Sequence, residues 1–95
     1  VRYEWDENKN RANQAKHGVS FKLAELVFLD PERLEEPNQM VDGETRLQVI
    51  GMAGDALAVL LVVFTEKDTH DEETIRIISA RKANREERGR YSSLR

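Results

Sequence analysis

The chain has 95 residues, enough for one domain with a single modest core. It has no cysteine, which excludes disulfides and thiolate metal sites and fits a reducing cytoplasm. Its 15 basic and 18 acidic residues leave a net charge of −3, and its longest apolar run, 56–64, is about half of the ~20 residues that a membrane helix needs. Nothing at the start reads as a signal peptide, and Val1 is not an initiator, so the first residue is expected to have been lost or replaced.

Arg2 to Trp5 reads as a short strand, with Tyr3 and Trp5 on one face. Asp6 caps a first helix that runs to His17 and stops at Gly18. Its apolar face is thin, mostly Ala12 and Ala15, so it is expected to pack close and stay half exposed. Ser20 caps a second helix, in which Phe21, Ala24, Val27 and Phe28 form one core-facing stripe widened by Leu23. Asp30-Pro31 ends it. Residues 32–37 read as a short edge strand, because a proline is disfavoured in a central one, and 38–43 as a loop.

From Thr45 to Met52 the pattern alternates, with Arg46, Gln48 and Ile50 on one side and Leu47, Val49 and Gly51 on the other. A turn at 53–55 leads into 56–65, which is apolar on both faces and predicts a central strand. An acidic loop at 66–73 precedes a strand over Ile75 to Arg81. Asn84 then opens a basic last helix, with Glu87 placed to complete a capping box. The order β-α-α-β-β-β-β-α predicts a single α+β domain over 1–95: two N-terminal helices and a C-terminal helix on a curved antiparallel sheet.

Charge is unevenly distributed. Ile75 to Arg95 carries seven bases and two acids, a net of +5 that leaves −8 on residues 1–74. A positive strand and helix on an acidic chain offer a place for a polyanion or an acidic partner. They also suit a solvated helix face and the helix dipole.

His17 and His70 stand in no ligand-spacing motif, no phosphate-cradling glycine loop is present, and neither a metal site nor a cofactor is implied. One reaction that needs only Lys, Arg, His and Glu is RNA cleavage. There the 2′-hydroxyl is the internal nucleophile, side chains supply base and acid, and cations steady the phosphate. The hairpin is expected to bring Glu66 close to Arg76, either as part of such a site or as a cross-strand ion pair. Arg81 and Lys82 lie at the far end of the same strand. Arg76 and Arg81 are an odd number of residues apart, so a regular strand points them to opposite faces. Only a bulge or the end of the strand unites them.

The chain carries EWDENKNRANQAKHGVSF at 4–21, FLDP at 28–31, GETR at 43–46, IGM at 50–52, VVFTE at 62–66, and RIISARKANREER at 76–88 with Tyr91 beyond. KHGVSF and RIISAR in one chain and in this order make a specific signal. On these residues the chain resembles the BrnT family of toxins from type II toxin–antitoxin modules, and through it the RelE-like ribonuclease superfamily. The resemblance implies a RelE-like fold and an RNA-cleaving toxin that inhibits translation and growth. It further implies a cognate antitoxin resembling BrnA, whose ribbon-helix-helix domain binds operator DNA for the pair. By match to the motifs it implies catalytic roles for Lys16, His17, Glu66, Arg76 and Arg81. It implies RNA binding by Arg46, Arg85, Arg88 and Tyr91, to which Lys82 adds a further cation. One departure is the stretch 67–73, longer and more acidic than the short turn expected before RIISAR. The competing reading is an inactive relative that complexes an antitoxin as operon co-repressor.

Overall fold

The computed structural model describes residues 1–54, 58–68 and 72–93. Its elements are β1 (Arg2–Glu4), α1 (Glu7–His17), α2 (Phe21–Glu25), a 3-10 turn (Leu26–Leu29), β2 (Leu34–Val41), β3 (Glu44–Met52), β4 (Val59–Asp68), β5 (Glu73–Lys82) and α3 (Arg85–Ser93). This is the α+β order expected from the sequence. No helix among the described residues is long and apolar enough to cross a membrane.

The five strands form one sheet in the order β1-β5-β4-β3-β2. Strands β2 to β5 are an antiparallel meander, but β1 pairs with β5 in parallel, so the sheet is mixed and not antiparallel throughout. A parallel pair needs a long crossover, and here everything between β1 and β5 serves as one. The second helix tightens into the 3-10 turn after Glu25 instead of running on to Asp30, and three strand boundaries differ from the sequence reading. Strand β2 continues to Val41 because Met40 and Val41 still pair with β3, past an irregularity after Pro37. The loop expected at 38–43 thus shrinks to the turn at Asp42 and Gly43, both at positive φ. Strands β4 and β5 extend into the expected acidic loop, and pairing continues to Asp68 opposite Glu73. His70, at 69–71, and the turn residue Asp55 lie outside the described residues.

The sheet is covered unequally. On one face, Phe21, Ala24 and Val27 pack on Val49, Val62, Phe64 and Ile77. Phe28 meets Phe64 edge to face at 5.0 Å, and Trp5 meets Phe21 at 6.2 Å, so Trp5 belongs to the core. On the other face a smaller cluster joins Ile50, Leu61 and Ala83 to Tyr91 of α3. Helix α3 therefore covers only the end of that face where β4 begins and β5 ends.

Helix α1 does not attach through its alanines. Ala12 and Ala15 are exposed, and Asn13 is its buried residue. The Asn13 amide donates to Ala80 O at 2.8 Å and Val19 O at 2.9 Å, and its oxygen accepts from Ala80 N at 3.2 Å. Strand β1 pairs with β5 only over Thr74 to Arg76. Beyond that the Asn13 side chain takes the place of a neighbouring strand and satisfies β5's outward backbone groups.

Candidate active site

The face of each charged side chain follows from the β4–β5 register. Val63 pairs with Ser79 and Phe64 with Ile77, which leaves Ile78 as an extra residue in β5. This bulge inverts the alternation between Ser79 and Arg76. Arg76 therefore lies opposite Thr65, on the same face as Ser79 and Arg81. The odd spacing that separates the two arginines in a regular strand is cancelled by one residue.

Arg76 belongs to a row that crosses four strands. Glu4 pairs with it from β1, Thr65 stands opposite in β4, and Arg46 is next across in β3, since the following residue, Leu47, pairs with Phe64. Neighbouring strands are ~4.8 Å apart, so the two arginines flank Thr65 at a separation of about 10 Å. Arg76 Nη1 donates to Glu4 Oε2 at 2.9 Å. Thr65 is only 2% exposed, yet its hydroxyl oxygen has no hydrogen-bond partner among the described residues, and neither has the buried Nε of Arg46. Leaving a buried polar group unmatched costs about 1–3 kcal/mol, and both of these belong to the one row.

Glu66 is not part of this row. Its partner in β5 is Ile75, which puts it on the face opposite to Arg76, and the expected Glu66–Arg76 pair is replaced by Glu4–Arg76. Glu66 shares its face with Asp68 and Glu73. Partial desolvation, then the charges of Glu73, Glu35 and Asp68, hold its pKa above the ordinary carboxylate value. Glu66, Asp68 and Glu73 are thus separated by the sheet from the arginine row.

Arg81 shares the face but its guanidinium is engaged. Nη1 and Nη2 donate to the two carboxylate oxygens of Glu87 at 2.7 and 2.9 Å. Glu87 also accepts from Asn84 N, while Asn84 Oδ1 accepts from Glu87 N, which completes the capping box of α3. Hydrogen bonds from Arg81 lower the Glu87 pKa, against the opposing effect of burial, with a further contribution from the Asn84 backbone.

Tyr91, expected on the RNA-binding surface, is buried. It is 2% exposed, and its hydroxyl donates to Asp30 Oδ2. The same oxygen accepts from Met52 N at 2.8 Å, and a Cβ on Gly51 would come within 3.1 Å of it. The FLDP, IGM and Tyr91 pieces of the sequence thus meet in a latch that holds the end of α3 to the sheet. The burial of the ring and its bond to Asp30 account for Tyr91 as a packing residue. Lys82, Arg85 and Arg88 are exposed, and Lys82 and Arg88 line a small cleft with Ala58, Val59 and Ala83. Lys16 and His17 form the last turn of α1, one turn beyond the contact of Asn13 with Ala80, and the structure does not bring them into the row.

Sequence reading missed Glu4 and Thr65. A signal for Glu4 was present, since Tyr3 and Trp5 facing the core turn Glu4 to the opposite side. Thr65 gave none, because a threonine ending an apolar strand is ordinary.

No curated protein matches the chain. The family model that describes BrnT, the ribonuclease toxin of type II toxin–antitoxin systems, matches residues 5–87, a span that contains Arg46, Thr65 and Arg76 together with the capped start of α3. With most of its length matched in this way, the chain belongs to the BrnT family of ribonuclease toxins.

Proposed function

We propose that this protein is a metal-independent endoribonuclease of RelE-like type, acting in the cytoplasm on single-stranded RNA and using the 2′-hydroxyl of the substrate as nucleophile. The observation that carries the reading is the row Arg46–Thr65–Arg76 on the uncovered half of the sheet, with its two unmatched buried polar atoms. A phosphodiester held over this row accepts from both guanidinium groups, with Thr65 buried beneath them. Planar forks match phosphate oxygens and steady the charge that grows on them as the 2′-oxygen attacks. Arg85 and Arg88 on α3 add positive charge for the rest of the RNA, while Lys82, opposite Leu60, lies on the other face of the sheet. A BrnA-like ribbon-helix-helix antitoxin neutralises the toxin and carries it to operator DNA.

The test is cleavage of a short RNA by purified protein in EDTA. The expected products end in a 2′,3′-cyclic phosphate and a 5′-hydroxyl, and DNA of the same sequence stays intact because it lacks the nucleophile. Arg46→Ala and Arg76→Ala are each expected to lower kcat/KM by about 10²–10³. RNA that is cut only after magnesium is added would overturn the mechanism.

A further inference from the structure

We propose that Glu4 is the general base of this reaction; the assignment rests on the ribonuclease reading above and adds to it a residue that precedes the span matched by the family model. A base for the 2′-hydroxyl must stand on the same face as the cations that hold the phosphate, within a few ångström of one of them. Glu44 shares the face but stands on β3, two strands away from Arg76, and position or prior engagement removes five further carboxylates. Glu66, Asp68 and Glu73 lie on the opposite face. Glu87 is held by Arg81 and by the Asn84 backbone. Glu36 is held by Arg90 and Gln48.

Glu4 meets the requirement. Its place beside Arg76 is fixed by backbone pairing of β1 with β5, and its Oε2 accepts from Arg76 Nη1 at 2.9 Å. Its side chain is 32% exposed, and Oε1 has no hydrogen-bond partner among the described residues. Arg76 thus stands between a carboxylate on one side and the unmatched Thr65 hydroxyl on the other. A phosphate held by the exposed side of Arg76 brings its ribose past Glu4, with the 2′-hydroxyl within reach of Oε1.

The step balances without a metal or a redox partner. Glu4 carboxylate takes the proton of the 2′-hydroxyl as the 2′-oxygen bonds to phosphorus. The bond from phosphorus to the 5′-oxygen breaks, and that oxygen is protonated by water. The hydroxide left behind takes the proton from the Glu4 carboxylic acid, which restores the carboxylate.

The experiment compares wild type, Glu4→Gln and Glu4→Ala on one short RNA in EDTA, with thermal unfolding of each variant as the folding control. Glutamine keeps an oxygen for Arg76 but is not a base. The expected result for Glu4→Gln is a fall in kcat of about 10²–10⁴, the range of general acid–base catalysis, with KM within about threefold of wild type. Glu4→Ala is expected to regain activity when small carboxylates are added, more with acetate than with the less basic formate. Three results would overturn the assignment while leaving the ribonuclease reading in place: Glu4→Gln with kcat near wild type, a loss confined to KM, or an alanine variant whose rescue is absent or independent of basicity. The last two would make Glu4 a positioning residue for Arg76. Wild-type protein that leaves RNA intact would overturn the ribonuclease reading and this assignment with it.

Discussion

Glu87 serves three groups at once: both guanidinium nitrogens of Arg81 and the Asn84 backbone. Its side chain is 10% exposed and that of Arg81 39%. Hydrogen bonds to charged groups contribute about 1.5–3 kcal/mol, and the exposure of Arg81 reduces this, so Arg81→Ala is expected to cost about 1–2 kcal/mol and several degrees in Tm. Because the folded carboxyl binds its proton less tightly than the ordinary 4.5, the unfolded chain takes up more protons just below that value. The stabilisation is therefore present above pH 4.5 and lost as pH falls through the lowered folded pKa. Denaturant titrations across this window should show Glu87→Gln with a flatter acid limb than wild type. At the opposite end of α3, Tyr91→Phe removes the hydroxyl that donates to Asp30 and is expected to cost about 1–2 kcal/mol. RNA cleavage should be unchanged after it, and a variant of normal stability that binds RNA weakly would return Tyr91 to the substrate surface.

At the scale of elements, the decisive features are a bulge and a side chain that imitates a strand. Ile78 lets one strand place Arg76 and Arg81 on a single face, although their numbers forbid it in a regular ladder. Asn13 closes the edge of β5 where the three residues of β1 run out. Without its amide, the Ala80 N–H and C=O and the Val19 C=O lose their partner in a buried setting. Each such loss costs about 1–3 kcal/mol, so Asn13→Ala is expected to destabilise by roughly 3 kcal/mol or more. Chemical denaturation measures it, and hydrogen exchange at Ala80 should accelerate more than at Val62 in the centre of the sheet. Gly51 is tied to the latch in the same way. An added Cβ would meet Val27 Cγ1 at 3.0 Å and Asp30 Oδ2 at 3.1 Å, so Gly51→Ala should show an overpacking loss of about 1–3 kcal/mol.

On the scale of the whole molecule, the two faces of the sheet differ in where their arginines stand. One face carries the helical core and, at its rim, Glu66, Asp68 and Glu73; the other carries Arg46, Arg76 and Arg81 on its strands, with Glu4 at the end of the row. The arginine face also holds Glu4, Glu36 and Glu87, each paired with an arginine, so its cations are partly matched there. If Arg46 and Arg76 neutralise the one phosphate they share, the doubly substituted Arg46→Ala/Arg76→Ala protein should bind RNA with a log K against log salt slope shallower by about 0.7. Titrations of a fluorescent RNA between low and moderate salt give that slope. An unchanged slope would move the phosphate contacts elsewhere.

The sequence by itself determined the order of elements, the caps at Asp6, Ser20 and Asn84, the stop at Gly18, the core stripe of α2 and the central place of β4. These are local matters: a cap is two or three residues apart, and the period of apolar residues is written in the chain. Family membership was legible in the same way, in KHGVSF and RIISAR. Tertiary structure alone decided the rest. Which partner Arg76 takes, Glu66 or Glu4, depends on a parallel pairing between residues 72 apart and on one extra residue in β5. Whether Tyr91 is a surface ring or a latch depends on Asp30 and Gly51 arriving from two other elements. Sequence spacing gives the face of a side chain only while a strand stays regular and its neighbour is known; register, bulges and edge pairing are settled by contacts between segments far apart along the chain.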